Sequence, residues 1–91
     1  MEEKFYVIAF ETTHYAIMAE KKLIEKYRVQ MIPTPRVISA SCGLSLKVGE
    51  PIIKDVINEM RTWDIDDHLL DVYRIEKIKG RDLSTRVDWL N

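Results

Sequence analysis

Residues 5–23 read FYVIAFETTHYAIMAEKKL, and the fold turns on how that stretch divides. Phe5 to Phe10 is an unbroken apolar and aromatic run. It is too short for an independent helix, and such a run reads as a central strand covered on both faces. The pattern then changes period. Thr12 or Thr13 can cap a helix by accepting early backbone N–H groups. Ala16, Ala19, Leu23, Ile24 and Tyr27 follow at helical spacing, while Glu20, Lys21, Lys22, Glu25 and Lys26 take the wet side. A strand feeding a helix sets the first half of the chain.

Working outward, Val29 to Ile32 reads as a second strand, stopped by prolines 33 and 35, which forbid helix and hold the chain extended. Leu44, Leu46 and Val48 alternate with Ser45 and Lys47, the period-two signature of a third strand with one wet face. Gly49-Glu50-Pro51 opens a second helix, with proline at home in the first turn. Ile53, Val56, Ile57 and Met60 form its buried stripe, and Trp63 closes it before the acidic loop DIDDH. Leu69 to Ile78 is a fourth strand, broken by Gly80. Residues 81–91 then read as a C-terminal tail with its own apolar residues Leu83, Val87, Trp89 and Leu90.

The order β-α-β-β-α-β, with right-handed crossovers, predicts an α+β domain. It is expected to be a ferredoxin-like βαββαβ sandwich, a four-stranded antiparallel sheet with two helices on one face. Residues 1–80 form that domain, and the 81–91 tail is available for a partner or dimer contact. In this topology the segment 33–42 crosses the top of the sheet, so Cys42 lies at the same end as Glu11 to His14.

Bulk composition narrows the function classes. Hydrophobic residues make up 46% and charged residues 32% of the 91-residue chain, as in a folded domain rather than a disordered one. A domain of this length buries ~60–65% of its unfolded surface, so a homodimer would add useful stability. The net charge of -1 gives no field to draw nucleic acid or an anionic membrane. No apolar run approaches the ~20 residues that span a bilayer. The start, MEEKFYVIAF, lacks the basic stretch and cleavage site of a signal peptide. One cysteine makes no internal disulfide, and a cytoplasmic location is expected.

That cysteine, Cys42, lies in RVISASCGLSL, residues 36–46. A lone cysteine is ordinarily a small buried apolar residue. Here it follows a proline-bearing loop, and Gly43 with Ser39 and Ser41 leaves room for a substrate or partner backbone. The topology brings it near the start of the first helix, where free N–H groups and the helix dipole favour an anion. A reactive thiolate needs such a setting. Arg36 can supply fixed positive charge, and His14 can serve as base or cation. Ser39 and Ser41 can donate hydrogen bonds to sulfur. The sulfur is expected to be reachable from solvent.

The strings YVIAFETTHYAIMAEKKL and VQMIPTPRVISASCGLSLKV resemble the small family described as putative selenium/sulfur carrier-like proteins. The resemblance spans roughly residues 5–60 and is sharpest in IPTPRVISASCG; the helix segment Phe10-x-Thr12-Thr13-His14-x-Ala16 supports it. It implies that Cys42 carries sulfur or selenium, with Arg36, Ser39, Ser41 and Gly43 around it and His14 nearby. Donor and acceptor would be partner proteins, and no cofactor is implied. Such a carrier would have no turnover of its own.

The same residues bear on rival functions. One cysteine and two histidines do not furnish the ligands of a zinc site. DIDDH (Asp64, Asp66, Asp67) lacks the glycine and distal glutamate of a calcium loop and reads as a solvated turn. RNA binding on a sheet of this kind wants aromatics on the central strands, and GLSLKV has none. A catalytic trio of Cys42, His14 and Glu11 lacks a recognised signature. The principal alternative is a small regulatory or protein-interaction module in which Cys42 is structural.

Overall fold

The structure is a computed structural model that describes residues 3–38, 40 and 42–89. The apolar run is strand β1 (Glu3–Phe10), and the helix after it is α1 (Thr13–Ile24). Thr12 is the cap: its hydroxyl accepts the N–H of Tyr15 at 3.3 Å. Next come β2 (Val29–Pro33), β3 (Leu44–Gly49), α2 (Ile53–Met60), β4 (Leu70–Ile78) and β5 (Arg81–Val87). Short 3₁₀ turns precede α2 and β4. The domain is α+β, with one antiparallel sheet in the order β2-β3-β1-β4-β5. Each helical crossover carries the chain past one strand position, which leaves β1 in the middle of the sheet.

The expected four-stranded βαββαβ sheet is corrected to five strands. β4 does not end the sheet at Gly80; it turns back. Lys79 and Gly80 both have positive φ, 51° and 79°, and Ile78 pairs with Arg81 across them. Positive φ at both central positions is the two-residue turn whose twist suits a hairpin. The stretch expected as a tail is therefore largely an edge strand. It is polar, because its outer edge and much of both faces meet water. Beyond it, Trp89 re-enters the core at 6% exposure, and Arg61 Nε donates to its carbonyl oxygen at 2.6 Å. Leu90 lies outside the described residues.

Both faces of β1 are covered. On one, Ile8 and Phe10 meet Leu46, Val48, Leu70 and Val72, under Ala16, Ala19 and Leu23 of α1 and Ile53, Val56 and Met60 of α2. On the other, Phe5, Val7, Ala9 and Ile75 pack with Ile38. That second cover comes from the connection between β2 and β3. Where the sequence placed this connection over the top of the sheet, Ile38 instead lies against its helix-free face. Ser45, expected on a wet face, is consequently buried. Ile24, expected in the helix stripe, is exposed at the end of α1.

The turn that follows α1 is tied to α2 by Lys26 Nζ and Glu59 Oε1 at 2.8 Å. That hydrogen bond holds Glu59 below and Lys26 above their ordinary titration ranges. The tie is thus lost as pH falls through the folded Glu59 range or rises through the folded Lys26 range, and between them it persists. No helix among the described residues is long and apolar enough to cross a membrane.

The burial of Trp89 makes the C-terminal segment part of the folded unit. Trp89→Ala should lower unfolding stability by about 3 kcal/mol or more, read as a lower urea midpoint. A loss below about 0.5 kcal/mol would mean that the segment beyond β5 contributes nothing to the core.

Candidate functional site

The site is assembled where β1 ends, α1 begins and β3 is about to start. Prolines 33 and 35 keep the departing chain extended, and the chain returns to the sheet at Cys42. Cys42 N donates to Phe10 O at 3.2 Å. Thr34 N donates to Gly43 O at 2.9 Å, on the β2 side. Because a trans peptide points its C=O and N–H in opposite directions, the next amide, Leu44 N, faces β1. Phe10 O is already taken by Cys42, and Leu44 N donates instead to Cys42 Sγ at 3.3 Å. Thr13 Oγ1, in the first turn of α1, lies 3.5 Å from the same sulfur.

The sulfur thus has two polar neighbours, one of them on a helix start where backbone N–H groups and the dipole favour negative charge. A thiol can donate to the Thr13 hydroxyl and accept from Leu44 N. A thiolate can accept from both. Either state is satisfied without moving a heavy atom. The sulfur is not, however, at the surface: Cys42 is 4% exposed and belongs to the core cluster under the helices. The sequence led to expect a reachable thiol; the structure gives a sheltered one.

The other candidate residues are not drawn to the sulfur in the same way. Arg36 is exposed in a turn closed by Ile38 N donating to Pro35 O at 3.0 Å. His14 is exposed, with its ring edge-on to Tyr15 at a centroid distance of 5.6 Å. Neither makes a hydrogen bond to Sγ among the described residues. Glu11 is exposed, and its amide is used by Leu69 O, so no trio with Cys42 and His14 forms. Ser39 and Ser41 lie outside the described residues. Gly43 is exposed, and a Cβ built there would meet nothing within 4 Å.

Thr13, Leu44 N, Thr34 and Ser45 are the neighbours that sequence reading missed. Thr13 had a signal: once Thr12 is the cap, the next hydroxyl in the helix is free to reach inward. Thr34 donates its hydroxyl proton to Cys42 O at 3.0 Å and lies 2.7 Å from Ser45 Oγ. Among the described residues, no group of three metal-ligating side chains converges.

A family model described as putative Se/S carrier protein-like matches residues 5–66. The match begins in β1, takes in Cys42 and both helices, and stops short of β4 and β5. No curated protein and no solved structure matches the chain.

Two outcomes follow from this geometry. Native Cys42 should be alkylated by iodoacetamide at least about tenfold more slowly than in the urea-unfolded chain, since reaction needs local opening. Equal rates would mean that the sulfur is not sheltered in solution. Gly43→Ala should change stability by no more than about 0.5 kcal/mol, read from urea unfolding, because its Cβ enters open space.

Proposed function

We propose, for a chain that belongs to the putative Se/S carrier protein-like family, that Cys42 holds sulfur or selenium as a persulfide or perselenide and relays it between partner proteins. The observation that carries the reading is the niche around Sγ. A buried sulfur at a helix start, with Leu44 N and Thr13 Oγ1 at 3.3 and 3.5 Å, can be stabilised as the anion that both steps require.

In loading, the Cys42 thiolate attacks the outer sulfur of a donor's persulfide. A new S–S bond forms on Cys42, the donor's S–S bond breaks, and the donor's thiolate leaves with that bond's electron pair. The moving sulfur keeps its oxidation level, so no external oxidant is needed. In unloading, an acceptor nucleophile attacks the outer sulfur and Cys42 leaves as thiolate, received again by Leu44 N and the Thr13 hydroxyl. The same exchange serves a perselenide. Nothing in the chain has to turn over substrate unaided, so we read it as a carrier rather than an enzyme. A lone cysteine that meets no second thiol in its own chain keeps its cargo until a partner arrives, and the reducing cytoplasm suits it.

Around the sulfur, Gly43 leaves space for a partner's backbone. Arg36 and His14, both exposed, would act on the donor or acceptor at docking, and Ser39 and Ser41 belong to the same motif. The partners are proteins, and a homodimer through the C-terminal segment is compatible with this use. A second reading, an interaction module with a structural cysteine, is favoured by the same burial of Cys42.

Intact-protein mass separates the two. After incubation with a cysteine desulfurase and cysteine, the wild type should gain one sulfur atom that a reductant removes, and Cys42→Ser should gain none. No gain in the wild type, or equal gain in both, would overturn the carrier reading and leave the structural one.

A further inference from the structure

Resting on Cys42 as the carrier thiol, we infer that Thr34 is a positioning residue: with Ser45 behind it, it latches Cys42 in the sheltered state, and its release presents the sulfur to partners. Thr34 has a single hydroxyl proton. That proton goes to Cys42 O at 3.0 Å, so the 2.7 Å contact with Ser45 is Ser45 donating to Thr34. The result is a directed chain, Ser45 hydroxyl to Thr34 hydroxyl to Cys42 carbonyl. The Thr34 amide holds the next carbonyl, Gly43 O, at 2.9 Å. Pro33 and Pro35 stiffen the backbone on either side of Thr34. Two successive carbonyls, those of Cys42 and Gly43, are thereby held by one residue.

Sheet packing does not require this arrangement. Ser45 is fully buried on the face that holds Val7, Ala9 and Ile38, where alanine would satisfy the burial. A buried hydroxyl there costs stability unless it is bonded, and its bond is spent on the residue that holds Cys42. The sulfur also cannot be reached by a donor protein where it stands, at 4% exposure within the core cluster. Movement is needed, and the freedom for it lies beside the latch, at exposed Gly43 with empty space around its Cα. Breaking the Thr34 grip leaves Cys42 held, among the described residues, only by its amide on Phe10 O and by the sulfur's contacts with Leu44 N and Thr13, so it swings out more readily while β1, β3 and both helices stay paired.

The test is the iodoacetamide alkylation rate of Cys42 in the full chain, without denaturant and across low urea. Thr34→Val keeps the shape and removes the hydroxyl; it should label about five- to tenfold faster, the loss of one internal hydrogen bond. Thr34→Ser restores the hydroxyl and should label near the wild-type rate. Ser45→Ala loosens the same pair from behind and should accelerate labelling less, and it carries the test if Thr34→Val does not fold. Ile53→Val, a mild core change under α2, should leave the native rate unchanged. In the latch variants the rate should depend only weakly on urea, as local opening does. A wild-type rate in Thr34→Val, or equal acceleration by Ile53→Val, overturns the latch. Sulfur loading by the desulfurase is scored separately: a wild type that loads while Thr34→Val labels normally removes the latch alone, and a latch that behaves as described in a wild type that never loads removes the carrier reading alone.

Discussion

The Cys42 peptide joins three elements that would otherwise only meet. Its amide closes on the last carbonyl of β1, its sulfur takes the amide of Leu44 at the start of β3, and the Thr13 hydroxyl at the start of α1 stands beside that sulfur. A serine in this place would offer a shorter oxygen, and an alanine would leave Leu44 N without its acceptor. The sulfur therefore works as part of the sheet's hydrogen bonding before any chemistry is asked of it. A residue already poised to accept from an amide and to exchange a hydrogen bond with a hydroxyl needs little rearrangement to bear negative charge.

The demands of this position pull in opposite directions. On the proposed carrier role, cargo is protected by burial and delivered by exposure. Here the sulfur lies in the cluster under the helices, and the backbone that carries it is secured on the opposite face. The helices close over the sulfur from one side. From the other, Ile38 packs on Val7, Ala9 and Ile75, and Ser45 and Thr34 secure the backbone behind the cysteine. β5 contributes at a distance, with Ser84 Oγ donating to Val37 O at 3.4 Å. The strand that lies beyond the family match thus touches the connection that leads to the cysteine.

Much of this was legible in the sequence for identifiable reasons. The Phe5–Phe10 run and the helical spacing of Ala16, Ala19 and Leu23 come from burial that each element undergoes by itself, so period alone reveals them. β5 was hidden because its turn is Lys-Gly rather than a stronger hairpin dipeptide and its residues are mostly polar, as an edge strand allows. Ser45 was misplaced because alternation only says which residues share a face. It does not say that Ile38 will cover that face. For the site, topology correctly brought Cys42 to the start of α1. The sulfur's own partners, a backbone amide two residues on and a helix hydroxyl, leave no trace in residue spacing. The charged residues that attracted notice, Arg36 and His14, ended exposed.

The most direct measurement is the amide NMR spectrum of the chain before and after sulfur is delivered to it by a desulfurase. If the cargo is taken up in the niche, the signals of Cys42, Leu44 and Thr13 shift on loading and return on reduction, while those of β4, β5 and α2 keep their places. Loading that leaves the Leu44 and Thr13 signals unmoved, or that disperses change across the whole sheet, would contradict the account.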